Sequence, residues 1–195
     1  PMLFLPTFDA VQVIDNLPKA TVFMGVPTYY VRLLANPEFS GKSCSNIRLF
    51  ISGSAPLSEE TFVSFAKRVG QNILERYGMT EAVMITSNPL QGPRIPGTVG
   101  YALPDVNVRV VDKSGRQITS GDIGELEITG PNVFPGYWQM PEKTQQEFTQ
   151  DGFFRTGDLA TITADGRVSI AGRSKDLIIS GGYNVYPKEI EDHIN

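Results

Sequence analysis

Residues 47–81 read IRLFISGSAPLSEETFVSFAKRVGQNILERYGMTE, and the choice of fold rests on this stretch. Ile47–Gly53 is a short apolar run closed by glycine, the pattern of a strand buried on both faces. LSEETFVSFAKRVG (57–70) predicts a helix: Ser58 can cap it, and Glu59 and Glu60 suit the positive first turn. Phe62, Phe65 and Val69 make its buried stripe, Lys67 and Arg68 sit in the last turn, and Gly70 ends it. NILERYG (72–78) is a second strand. Upstream, ATVFMGVP (20–27) is another apolar run of the same doubly buried kind. In PTYYVRLLANP (27–37), Tyr30, Leu33 and Leu34 fall at helical spacing before Asn36-Pro37. Strand, helix, strand, helix, strand implies a parallel sheet, so residues 1–95 read as α/β.

From about residue 96 the texture changes. VNVRVVD, GELEITG, LATITADGRVSIAG and DLIIS alternate or run β-branched between turn residues, and Asp165-Gly166 is a hairpin signal. Residues 96–172 are expected to form a small antiparallel, barrel-like unit. The charged GRSKD then marks a boundary near 173, with residues 173–195 opening a further domain.

Bulk properties narrow the function. Over 195 residues, 41% hydrophobic and 19% charged content are globular values, so disorder is not expected. A net charge of −4 without like-charge runs argues against nucleic acid as the main partner. Cys44 is the single cysteine, which excludes an internal disulfide and any cysteine cluster. His193 is the single histidine, so neither a histidine pair for a metal nor a histidine-based triad is expected. No apolar run approaches the roughly 18 residues of a membrane span, and no signal peptide opens the chain. A cytoplasmic location is the expectation; oligomeric state is left open. The chain begins PMLFLPTFD and stops at PKEIEDHIN, where Ile190 and Ile194 start a helical stripe, so a segment of a longer protein is expected.

Four short stretches carry the chemistry. There is no G-x-x-x-x-G-K-[ST], G-x-G-x-x-G, H-E-x-x-H or G-x-S-x-G, which argues against a P-loop, dinucleotide, zincin or α/β-hydrolase site. SGSAPL (52–57) ends a strand in a small flexible turn whose backbone can approach a flat or anionic ligand. YGMTE (77–81) sets a hydroxyl beside a carboxylate at a strand end, suited to phosphate and to Mg²⁺ respectively. FFRTGDLA (153–160) fixes Asp158 where it could accept hydrogen bonds from a ribose diol. GRSKDLIISGGYNVYPKEIE (172–191) packs Arg173, Lys175 and Asp176 into one turn before Gly181-Gly182.

In this order, SGSAPL, YGMTE, GELEITGPNVFPGYW, FRTGD and GRSKDLIISGGYNVYPKEIE resemble the adenylate-forming acyl-CoA synthetase superfamily over essentially the whole chain. GVPTYYVRLL, LERYGMTE and GGYNVYPKEIE resemble its malonyl-CoA synthetase branch. The resemblance implies the C-terminal half of a large adenylation domain, comprising α/β sheet and β-barrel subdomain, plus the start of an α+β lid. It implies a carboxylic acid, ATP, Mg²⁺ and CoA as small-molecule partners, with an acyl-adenylate formed first and the thioester second. By position, Gly53, Ser54, Ala55 and Pro56 line the adenylate and acyl pocket. Tyr77 stacks near adenine, with Gly78 and Met79 beside it. Thr80 contacts phosphate, Glu81 coordinates Mg²⁺, and Asp158 and Arg173 bind ribose hydroxyls. Lys175 is the hinge of the lid, and Gly182 lies in the loop lining the CoA tunnel. Relatives have an upstream phosphate loop and a distal lysine that these residues lack, so residues 1–195 alone are expected to turn over negligibly. A lysine found in luciferase-like relatives is replaced here by Gly181.

Arg76 stands where many relatives carry an uncharged residue. A guanidinium there suits a second carboxylate on the substrate, with Arg32 as its partner from the opposite wall, as the malonate branch implies. The alternatives are that Arg76 pairs with Glu75 or Glu81, and that Arg32 lies on a solvated helix face. For the whole, the alternatives are another medium-chain or aryl acyl-CoA ligase, or a non-catalytic nucleotide- or partner-binding fragment.

Overall fold

The computed structural model describes residues 2–118, 121–180, 183–187 and 190. The chain forms two compact units, one of residues 1–76 with 88–97, the other of residues 77–87 with 98–195. The boundary read at 95/96 differs from this grouping, because residues 77–87 cross into the second unit before the chain returns.

Strands β1 (Val22–Gly25) and β2 (Leu49–Ser52) of the first unit run parallel with β3 (Leu74–Met79), whose last three residues belong to the second unit; Gly25 stands opposite Ser52 and Ser52 opposite Glu75. Helices α2 (Pro27–Leu34) and α3 (Glu59–Val69) make the crossovers, and α1 (Ala10–Asn16) precedes them. The expected signals of α3 hold: the Ser58 hydroxyl accepts the Thr61 N–H at 3.2 Å, and Gly70 closes the helix at φ 79°. The pleat of β2 divides its side chains. Phe50 joins Tyr30, Leu33, Phe62 and Phe65 in the main core, while Leu49 and Ile51 turn to a smaller cluster with Leu74. Every residue of β2 is buried, as its apolar run predicts. β1 does not share that burial: it ends the row of parallel strands, and Met24 is 60% exposed.

In the second unit, β4 (Val83–Ser87) pairs antiparallel with β5 (Tyr101–Ala102). Strands β6 (Asn107–Val111), β7 (Gly124–Thr129), β8 (Phe154–Ile162) and β9 (Val168–Arg173) form an antiparallel sheet in that order. The Asp165-Gly166 turn joins β8 to β9 as expected, with Gly166 at φ 86°. Helix α4 (Pro141–Glu147) lies between β7 and β8 in sequence. After the turn at Ser174–Asp176, β10 (Ile178–Ser180) and β11 (Tyr183–Val185) make a short hairpin. Leu126, Ile128, Phe154, Ala160 and Val168 are the centre of this unit's core. Gly182 lies outside the described residues.

Candidate functional site

The loop carrying Thr80 and Glu81 reverses the chain in very little room. Ala82 N–H returns to the Met79 carbonyl at 3.1 Å, and Val83 adopts φ 55°. A Cβ at Gly78 would run into the Val83 carbonyl and the Met84 methyl, so glycine is required there. Thr80 is exposed and Glu81 half-buried. Residues 132–137 hold this loop from outside: Asn132 Nδ2 donates to the Ala82 and Met84 carbonyls at 2.8 and 2.9 Å, and Phe134 N–H donates to the Glu81 carbonyl at 2.8 Å. The Tyr137 hydroxyl donates to Glu81 Oε1 at 3.0 Å.

Asp158 is 4% exposed, one residue after Gly157, whose φ of 71° lets β8 turn its carboxylate inward. Register sets Asp158 opposite Arg173, whose Nε lies 2.9 Å from Oδ1, and the Tyr77 hydroxyl donates to Oδ2. Burial pushes the Asp158 carboxyl up, opposed by the hydrogen bond from Tyr77 and the charge of Arg173. Burial, followed by the Asp158 charge and hydrogen bond, pushes the Tyr77 hydroxyl up, so it keeps its proton and stays a donor. The ring of Tyr77 is thereby held by its own hydroxyl.

Beside these residues a cleft of about 490 Å³ is lined by Met79, Glu81, Phe154, Arg173 and Lys175, joined by Tyr137, Lys143 and Arg155. Four cations, Lys143, Arg155, Arg173 and Lys175, stand there against two acids, Glu81 and Glu147, a balance that favours anions. The structure thus brings together Tyr77, Asp158 and Arg173 in one cluster and Met79, Glu81, Arg173 and Lys175 around one cleft. Tyr137, Lys143 and Arg155 had not been singled out from the sequence. Tyr137 meets Glu81 across 56 positions of chain, and the only signal was its place in the PNVFPGYW segment. No group of three or more His, Cys, Asp or Glu that could hold a metal occurs among the described residues. A lone carboxylate of this kind fits Mg²⁺ only where substrate phosphates and water complete the shell.

In the first unit, Ser52 ends β2 and the turn that follows is partly strained, with Ser54 at φ 70°. Ser54, Ala55 and Pro56 are exposed. Gly53 passes close to β3: a Cβ there would stand 3.2 Å from the Arg76 carbonyl. Buried Glu75 accepts the Leu57 N–H at 3.0 Å, tying the end of this turn to β3. Arg76 is half-buried and makes no ion pair among the described residues. Arg32 is exposed on α2, its guanidinium 4.6 Å from the Phe8 ring centroid, and Phe8 stacks on Tyr29.

The chain thus combines an α/β unit and an antiparallel β unit with a buried Asp158 carboxylate held by Tyr77 and Arg173, and a cleft lined by four cations and the carboxylates of Glu81 and Glu147. The model of the AMP-binding enzyme family matches residues 2–138, and the chain belongs to that family. It is 41% identical over 228 aligned residues to the mitochondrial malonate–CoA ligase ACSF3 of Mus musculus, covering 98% of this chain and 39% of that protein. It is 37% identical over 195 residues to a long-chain-fatty-acid–CoA ligase of Bacillus subtilis (strain 168), covering 98% of this chain and 35% of the relative. Among solved structures, ATP-bound MatB from Rhodopseudomonas palustris matches at 56% identity and a TM-score of 0.96, covering 98% of this chain and 38% of that one. The chain thus spans about two fifths of the length of the relatives it matches.

Proposed function

We propose that this chain is the C-terminal half of the adenylation domain of an AMP-forming acid–thiol ligase acting on malonate or methylmalonate. The observation that carries the reading is the buried Asp158 carboxylate, held by Tyr77 and the half-exposed Arg173, beside the cleft that Glu81 and Lys175 line. In this reading Asp158 and Arg173 hold the ribose hydroxyls, the fixed Tyr77 ring faces adenine, and Thr80 donates to a phosphate oxygen. The turn Gly53–Pro56 is read as lining the adenylate and acyl pocket, and Gly78 and Met79 as flanking Tyr77 in the nucleotide cluster. Glu81 would hold Mg²⁺, which supplies charge stabilisation of the phosphates when bound. The acid's carboxylate attacks the α-phosphorus and pyrophosphate leaves; the CoA sulfur then attacks the acyl carbon, AMP leaves, and the thiol proton passes to solvent. No protein nucleophile is needed, so positioning and electrostatics are the chain's contribution. Residues 1–95, 96–172 and 173–195 correspond to sheet, barrel and lid, with Lys175 at the hinge and Gly182 toward the CoA tunnel.

Substrate choice is assigned to Arg76 and Arg32. Arg76, half-buried and in no ion pair among the described residues, supports a role as the clamp for a distal carboxylate, and likeness to a malonate ligase supports the same choice. A long-chain acyl-CoA ligase is the second reading, favoured by the Bacillus relative. A cytoplasmic location is proposed with it; the named mitochondrial relative shows that such ligases also work elsewhere. In the full-length ligase carrying this sequence, AMP release with ATP, Mg²⁺ and CoA is expected to favour malonate over butyrate. Arg76→Ala should cut kcat/KM for malonate about 10–100-fold, the loss of a charged hydrogen-bonded pair, and leave butyrate nearly unchanged. Equal turnover of the two acids by the unaltered enzyme would sink the assignment.

A further inference from the structure

The loop that presents Glu81 is held more firmly than a surface turn requires. Its backbone is already tied by Asn132 and Phe134, through three hydrogen bonds to the carbonyls of Glu81, Ala82 and Met84. The Tyr137 hydroxyl adds nothing to that scaffold: its 3.0 Å bond goes to the Glu81 carboxylate, at Oε1. No described residue hydrogen-bonds to the other oxygen, and Glu81 lines the cleft.

Tyr137 itself is fixed on several sides. Its backbone N–H donates to Thr144 Oγ1 at 2.9 Å, and that hydroxyl donates to the Met140 carbonyl at 3.0 Å. The Phe134 ring meets it edge-on with centroids 4.8 Å apart, and Lys143 Nζ lies 4.9 Å from its ring centroid. A tyrosine locked in this way offers a donor at one place and costs little entropy when the carboxylate uses it.

We infer that Tyr137 is a positioning residue for divalent-cation binding: by occupying Oε1 it fixes the Glu81 carboxylate so that Oε2 is presented to the cation of a nucleotide–metal complex. The inference rests on the reading of Glu81 as the metal-holding residue. Partners one step removed from a metal are worth about 10–100-fold in affinity elsewhere, because they set the ligand's orientation and basicity.

The test uses the full-length ligase carrying this sequence, with Mn²⁺ in place of Mg²⁺ and an ATP analogue with a methylene bridge between the α- and β-phosphorus. Free Mn²⁺ is read by electron paramagnetic resonance in four proteins: unaltered, Tyr137→Phe, Glu81→Gln and the double variant. Tyr137→Phe should weaken Mn²⁺ binding about tenfold, Glu81→Gln at least as much. In the Glu81→Gln background the further loss of the hydroxyl should cost less than about twofold. Unchanged affinity in Tyr137→Phe, with affinity lost in Glu81→Gln, overturns the inference and spares the role of Glu81. An equal loss from Tyr137→Phe in both backgrounds makes Tyr137 merely structural and also overturns it. Unchanged affinity in Glu81→Gln removes the metal role of Glu81, and the inference falls with it. Should Tyr137→Phe fail to fold, as judged by its melting temperature, Thr144→Val stands in, since it frees the Tyr137 backbone. A two- to threefold loss is then expected, and no loss overturns the inference.

Discussion

Val83 is a β-branched residue at φ 55°, a backbone region such side chains rarely occupy, and it sits two positions from Glu81. The strain is tolerated because Gly78 leaves room for the reversal and residues 132–137 hold its outer side. The sequence marked Thr80 and Glu81 by residue type but gave no sign of the Val83 conformation, which arises from packing. Tyrosines repeat the lesson. Tyr30 was legible as a core position by helical spacing, yet its buried hydroxyl also donates to the Ile51 carbonyl at 2.6 Å. Burial pushes Tyr30 and Tyr77 far above their ordinary value and Tyr137 to about 12. The folded chain therefore holds these protons more tightly than the unfolded chain does. Above pH ~10, where free tyrosine ionises, the unfolded state binds fewer protons and stability falls as pH rises. Absorbance at 295 nm should show Tyr30 and Tyr77 ionising only as near-ultraviolet dichroism is lost. Full tyrosine ionisation with that dichroism intact would contradict their buried, donor state.

Strands and helices were legible where periodicity or caps spoke. The βαβαβ order, the Ser58 and Gly70 caps and the Asp165-Gly166 turn were all read correctly. Helix α4 escaped notice because PEKTQQE buries no residue, so it has no apolar stripe to detect; Pro141 at its start and Thr144 secure it instead. The seven residues of α1 and the short β4 were similarly too brief to show a period. β1 was read as doubly buried because an apolar run does not say which strand lies at an edge. Across β6, β7 and β8, register builds what no local pattern could: Arg109 opposite Glu127, and Glu127 opposite Arg155. Arg109 reaches the buried Glu127 at 2.7 Å and Asp151 at 2.6 Å, and packs 3.7 Å from the Phe153 ring centroid. Arg155 stands 3.6 Å from the other Glu127 oxygen and lines the cleft. Removing Glu127 leaves two arginines facing each other without their shared acid. Glu127→Ala should destabilise the protein by on the order of 2–3 kcal/mol in urea unfolding, below the loss for a fully buried pair because Arg155 is partly solvated. A change under about 0.5 kcal/mol would mean the ladder is ornamental at that scale.

At the scale of the molecule, the motif order was enough to name the family before any coordinates, because each motif is a local solution to handling phosphate, ribose or a metal. What the motifs could not supply was the long-range partner of each one: Tyr77 for Asp158 and Tyr137 for Glu81, pairs 81 and 56 positions apart. The chain's two units divide the proposed work, with the acyl-side arginines Arg32 and Arg76 in the first and the nucleotide cluster in the second. The central claim is that this division serves an AMP-forming ligase. It is tested most directly by following ³¹P resonances while the full-length ligase carrying this sequence consumes ATP with malonate and CoA. AMP and pyrophosphate appearing in equal amounts is the predicted result. ADP and inorganic phosphate as the products would place the bond broken between the β- and γ-phosphates and contradict the account.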